Sequence, residues 1–200
     1  ALSEIIVDSR NKNFVAEDNV LFSKDKRTLY CYPAQKEDGL YEIPDEVYRI
    51  VNNAFSSCKN LKQVVFTENL EIIEYNAFAG SGLTSVTMTD EISYLNGSVF
   101  SGCISLEEVR LSKKLTEIPY DLFKGCISLK SITIPARVSW INNMAFEGCT
   151  QLTQVEVSSA NRYFQSKDGI VFSTDGEKLQ YYPEGKKGSS YVVPEGIKIL

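Results

Sequence analysis

The sequence predicts a repeat solenoid, mostly β with short helical turns, and three observations carry that prediction. A phrase centred on a phenylalanine recurs five times at intervals of 22 to 23 residues, as Phe55, Phe78, Phe100, Phe123 and Phe146. Around each one the apolar positions keep their register, the clearest copy running Cys126, Leu129, Ile132, Ile134, Val138, Ile141, Ala145, Phe146, Cys149; one residue of slippage falls between Phe78 and Leu83. On a longer scale, residues 2–50 and 152–200 align at an offset of 150 without a gap. Self-similarity at such a period means stacked coils that share one continuous core, each coil touching chiefly its neighbours.

Each unit reads as three short elements. The first is a strand of the form Leu-x-x-Val-x-Leu, as in Leu106, Val109 and Leu111, whose alternation buries one face and exposes the other. The second, Val-x-x-Ile as in Val138 and Ile141, predicts a minor strand. The third is expected to be a helical turn carrying the phenylalanine. Asn53, Asn76, Ser98 and Asp121 stand at its capping place, because their side-chain oxygens accept from free helix-start amides; Met144 breaks that column. The phenylalanines are then expected to stack at about 5 Å, the spacing of adjacent strands.

The two end copies are longer. Nine residues separate Leu129 from Val138, whereas 45 separate Leu2 from Val47 and Leu152 from Ile197, so each end carries a 36-residue insertion. Within the second, Ile170-Val171-Phe172 and Leu179-Gln180-Tyr181-Tyr182 flank Asp175-Gly176, a β-hairpin signal. The first repeats the pattern with Val20-Leu21-Phe22 and Leu29-Tyr30-Cys31-Tyr32 around Asp25-Lys26. The expected organisation is one solenoid over 1–200, with insertions at about 8–46 and 158–196 and regular repeats at about 47–157. Leu200 aligns with Ile50 in mid-repeat, which reads as a fragment of a longer array or as ends protected by the two hairpins.

Composition narrows the function. With 43% hydrophobic residues, 24% charged residues and a net charge of -5, the chain has a globular composition and no basic stripe with which to neutralise phosphates, so nucleic acid is excluded as the expected partner. No apolar run reaches the roughly 20 residues a spanning helix needs, so no membrane insertion by this segment is expected. The absence of histidine removes Ser-His-Asp and Cys-His catalysis and the usual zinc sets. Glu107 and Glu108 are strand neighbours that point to opposite faces, so they do not form a glycosidase pair. Asp168-Gly169 and Asp175-Gly176 read as turns rather than calcium loops. Neither an enzyme nor a cofactor or metal is expected.

Leu-x-x-Ile-x-Ile-Pro, then Val-x-x-Ile, then Ala-Phe-x-Gly-Cys, repeated through 126–149 and its neighbours, resembles the BspA-like, treponemal-type leucine-rich repeat. The resemblance implies a right-handed leucine-rich-repeat superhelix, into which the two β-hairpins of the end copies are inserted. It also implies an extracellular or cell-surface setting and adhesion to host proteins or neighbouring cells, with no catalytic residues to carry over. Cys58, Cys103, Cys126 and Cys149 share one repeat position, with Ser81 in the remaining unit; a small buried residue is expected there, as free thiols.

Two surfaces are candidate sites. The outward positions of the main strands form a ribbon with columns Gln63, Ser85, Glu108, Ser131, Gln154 and Val65, Thr87, Arg110, Thr133, Glu156, where a partner protein is expected to bind. The minor strands and the turns after them gather Tyr75, Tyr94, Tyr120 and Trp140, an alternative aromatic surface suited to a glycan. The readings are therefore a protein-binding module, a carbohydrate-binding module, or a passive spacer that displays another domain.

Overall fold

A computed structural model describes residues 2–200. Short parallel strands stack coil upon coil into an elongated core. On one side lies the main ribbon, formed by Leu40–Glu42, Gln63–Val65, Ser85–Thr87, Glu108–Arg110, Ser131–Ile134 and Gln154–Val157. Its registers follow the repeat: Tyr41 opposes Val64, Val86 opposes Val109, and Ile132 opposes Val155. The opposite side carries two-residue strands, Arg49–Ile50, Ile72–Ile73, Tyr94–Leu95, Glu117–Ile118 and Trp140–Ile141.

The minor sheet is interrupted between Leu95 and Ile118, and the sequence supplies the reason. Just after each minor strand a backbone N–H donates to the preceding coil: Glu74 to Ile50, Asn96 to Ile73, Asn142 to Ile118, all at 3.0 Å. In the fourth coil that position is Pro119, which has no N–H to give.

Between the two sheets every inward position forms a column. Leu61, Leu83, Leu106, Leu129 and Leu152 are fully buried, as are the five phenylalanines. The rings stack at centroid distances of 4.7, 5.6, 5.6 and 5.8 Å, within 12° of parallel. Tyr32 continues the stack before Phe55 at 5.1 Å, and Tyr181 lies against Phe146 at 5.2 Å. Both tyrosine hydroxyls are buried without a partner.

The expected helical turns are not helices; none of the described residues is helical. Asn53, Asn76, Ser98 and Asp121 are not caps but left-handed residues, at φ of 60°, 56°, 58° and 53°. Asn and Asp tolerate that region best among residues with a Cβ. Four residues further on, Ser57 and Gly80, Gly102 and Gly125 are left-handed again. Two such inversions per turn prevent an i→i−4 ladder. Alternate amides bond instead to the next coil, Phe55 to Ala77 at 2.7 Å, Phe78 to Val99 at 2.9 Å and Phe123 to Ala145 at 2.8 Å, while those between them close short turns, as Ser56 to Asn53 at 3.0 Å. The turn is a third coil-to-coil ladder.

The two long-period copies fold alike. Phe14–Glu17, Val20–Ser23 and Thr28–Cys31 form an antiparallel meander, as do Phe164–Lys167, Ile170–Ser173 and Leu179–Tyr181. Even the irregularity repeats at the same offset, between Leu21 and Phe22 and between Val171 and Phe172. The sequence reading captured two strands of each unit; the third, Phe14–Glu17 or Phe164–Lys167, is an addition.

The second meander and the segment after it fold against the fifth regular coil and the strand that follows it, and take up their free backbone groups. Val155 N–H donates to Gly169 at 3.0 Å, Val157 N–H to Ser166 Oγ at 3.0 Å, and Gly148 N–H to Glu184 Oε1 at 2.9 Å. Asn161, buried, donates to the carbonyls of Pro135 and Val138.

Candidate functional site

The outward columns of the ribbon face solvent. Gln63, Val65, Thr87, Glu108, Arg110, Thr133, Gln154 and Glu156 are all exposed, with Arg110 opposite Thr87 and Thr133 opposite Glu156. The alternation that turns them outward turns Val64, Val86, Ile132 and Val155 into the core.

Arg110 is more constrained than an outward residue need be. Its guanidinium donates to the Met88 carbonyl at 2.6 Å and to Asp90 at 3.2 Å. Hydrogen bonds from Lys113, with the Arg110 charge adding less, hold the Asp90 carboxyl below its usual range. Arg110 thereby separates two hollows in the ribbon. One of about 420 Å³ is lined by Gln63, Val65, Thr87 and Asp90. The other, about 360 Å³, is more apolar and is lined by Leu111, Thr133, Pro135 and Ala136. At the ribbon's end Glu156 accepts from Ser166 at 3.0 Å, which ties it to the second meander.

The aromatic residues are also exposed, Tyr75 by 37%, Tyr94 by 48%, Tyr120 by 44% and Trp140 by 47%. They do not form one sheet. Tyr94 and Trp140 are outward strand residues, paired with Ile72 and Glu117. Tyr75 and Tyr120, two coils apart, meet at 6.2 Å across Gly97. A Cβ on Gly97 would stand 2.3 Å from the Tyr120 ring, so only glycine lets that ring lie flat there.

Sequence reasoning missed what surrounds Trp140. A groove of about 670 Å³ opens between the last minor strand and the second meander, lined among others by Trp140, Asn142, Asn143, Ser173, Lys178 and Gln180. Gln180 is fixed by bonds from its amide nitrogen to the Ile141 carbonyl at 3.0 Å and to Asn143 Oδ1 at 3.2 Å. Lys178 and Gln180 lie some forty positions from Trp140, so no local pattern brings them together.

The cysteine column has a bonding role that size alone did not predict. Cys103, Cys126 and Cys149 donate to the carbonyls of Phe78, Phe100 and Phe123, each at 3.1 Å, so the thiols form a ladder along the spine. All five cysteines are free. Burial raises these thiols, Cys58 and Cys149 to about 12, which makes them poor nucleophiles. Among the described residues no cluster of three or more potential metal ligands occurs, and no helix is long and apolar enough to cross a membrane.

Parallel ribbon, minor strands, ring spine and leucine columns together define a β-solenoid built from leucine-rich repeats. The chain belongs to the BspA type leucine-rich repeat family, whose pattern matches residues 38–153 in six copies. Among solved structures it is similar to a leucine-rich repeat protein from Eubacterium ventriosum, with 26% identity and a TM-score of 0.70 over 80% of this chain and 50% of that one. The pneumococcal vaccine antigen PcpA shares the fold at 20% identity and a TM-score of 0.75, over 94% of this chain and 60% of that one. A leucine rich cell surface protein from Faecalibacterium prausnitzii is 34% identical, with a TM-score of 0.54 over 81% of this chain and 37% of that one. The chain thus spans about half the length of these relatives. No curated protein matches it in sequence.

Proposed function

We propose that the chain is a non-catalytic, extracellular adhesion-type module, a right-handed superhelix with two inserted meanders, that binds a partner protein along its ribbon. The observation that carries this reading is Arg110, held by Met88 and Asp90 between two hollows at the middle of an exposed ribbon. A pre-set guanidinium costs little further side-chain entropy on binding, and arginines flanked by pockets are frequent anchors of protein interfaces. The surface setting is supported by likeness to a leucine rich cell surface protein, and the lack of histidine supports a non-enzymatic role. The partner would be a host matrix or surface protein, or a protein of a neighbouring cell.

The test is surface plasmon resonance against purified extracellular-matrix proteins, comparing the parent with Arg110→Glu and Arg110→Ala. Both variants are expected to lose binding by tenfold or more, Arg110→Glu more because it also sets a carboxylate beside Asp90. Circular dichroism checks that they are folded. Tyr94→Ala is expected to bind as the parent does. Unchanged affinity in a folded Arg110→Glu would remove the ribbon from the interface.

A further inference from the structure

We infer that the groove beside Trp140 is a subsite for a carboxylate-bearing sugar, on a different face from the ribbon and independent of the protein partner proposed there. The argument starts from which polar atoms remain free. Asn142 Oδ1 accepts from the Met144 amide at 2.9 Å, and Asn143 Oδ1 accepts from Gln180 at 3.2 Å. In each the amide nitrogen is left to donate. Gln180 spends its nitrogen on Ile141 and Asn143, which leaves its carbonyl oxygen to accept. Lys178 supplies a cation, and no carboxylate lines the groove. Two amide donors, an ammonium and one acceptor, set around a half-exposed indole, match a pyranose ring. Its C–H face packs on the indole, its hydroxyls meet the amides, and its carboxylate meets Lys178.

Charge favours the acidic class. Residues 1–100 carry 9 basic and 15 acidic side chains, residues 101–200 carry 12 and 11. The groove lies in the half whose charges nearly balance, although the whole chain is negative and Glu117 stands opposite Trp140. Tyr94 extends the surface. It holds the same repeat position as Trp140 two coils away, across the break in the minor sheet, with Glu117 at that position between them. That separation is about 10 Å from the strand spacing, a span that a short oligosaccharide bridges. The positioning of Gln180 and Asn143 is built in, since they hold each other and the last minor strand before any ligand arrives.

The chain contains one tryptophan, so its fluorescence reports this groove alone. Titration with 3′-sialyllactose, with a hyaluronan hexasaccharide and with lactose separates the sources of the acid group from the neutral ring. A shift or quench is expected with at least one of the two acidic oligosaccharides, at concentrations tenfold or more below those at which lactose acts. Lys178→Gln is expected to bring the acidic response down to that of lactose without moving the thermal midpoint. Tyr94→Ala is expected to weaken the hexasaccharide more than the trisaccharide. Arg110→Glu leaves the response unchanged, so failure here is distinguishable from failure of the ribbon. Equal response to lactose and the acidic sugars, an acidic response that survives Lys178→Gln, or emission unmoved by all three would each overturn the assignment.

Discussion

At the scale of single residues, the chain's cysteines act as donors rather than as reactive groups. Each of Cys103, Cys126 and Cys149 is fully buried and bonded to a phenylalanine carbonyl of the coil before. Ser81 occupies the same column and lies 3.3 Å from the Cys103 sulfur, so what the position requires is a small side chain that can hydrogen-bond. The sequence showed the column and its size limit, yet the bond it makes depends on the neighbouring coil. These thiols are expected to react with a maleimide only after denaturation, whereas the partly exposed Cys31 is open to it; rapid labelling at Cys103, Cys126 or Cys149 in the folded protein, located by peptide mass, would contradict their burial. A pH dependence follows. A thiol whose folded pKa is raised contributes stability that is complete below its unfolded value near 9 and is lost as pH rises through the folded value. For Cys58 and Cys149 that window runs from about 9 to about 12, and Tyr32, desolvated and also raised to about 12, adds to it from 10. The urea midpoint is therefore expected to hold between pH 7 and 8.5 and to fall steadily from pH 9.5 to 11. A double Cys58→Ala, Cys149→Ala variant should show a shallower fall, and an identical slope would assign the effect to other groups.

At the scale of elements, the phenylalanine turn shows where sequence pattern runs out. Asn or Asp two residues before the phenylalanine fits a helix N-cap and a left-handed turn equally well. Residue identity does not separate them; the destination of the following amides does, and every other one goes to the next coil. A substitution does separate them. At φ 56° a β-branched residue is strained by about 1 to 2 kcal/mol, whereas glycine is not. Asn76→Val is expected to lower stability by that amount and Asn76→Gly to stay within about 0.5 kcal/mol, read from urea midpoints; an N-cap would tolerate glycine similarly but would not single out β-branching through φ. Met144, which holds the equivalent place without a positive φ, should accept valine with little change. The meanders were legible in two strands of three, because Val20–Ser23 and Ile170–Ser173 are apolar and abut turn signals, Asp175-Gly176 the stronger and Asp25-Lys26 the weaker. Phe164–Lys167 has one buried residue in four, too little alternation to announce a strand. The ribbon was legible from alternation alone. The Trp140 groove was not, since Phe164, Ser173, Lys178 and Gln180 reach its lining from a distant segment.

At the scale of the whole molecule, stability is carried by columns that run through every coil, and the ring spine is the test of that. Phe123 is fully buried between Phe100 at 5.6 Å and Phe146 at 5.8 Å, nearly parallel to both. Deleting a buried ring of this kind costs about 3 to 5 kcal/mol. In a globular core that loss would lower one cooperative transition. A solenoid couples each coil chiefly to the next, so removing the contact between the fourth coil and its neighbours should also weaken communication between the two halves. Trp140 reads the coil that follows Phe123, while far-ultraviolet circular dichroism reads the whole chain. In the parent the two urea transitions are expected to coincide. In Phe123→Ala both midpoints should fall, and the tryptophan transition should precede the dichroism signal, with a lower apparent m value because the transition is no longer two-state. Phe55→Ala, near the other end, should lower stability while leaving the Trp140 probe later than the dichroism signal, the opposite order. A Phe123→Ala midpoint equal to the parent's would refute the spine as the main carrier of stability. Coincident, equally lowered transitions in both variants would show that coupling runs through the strand ladders instead.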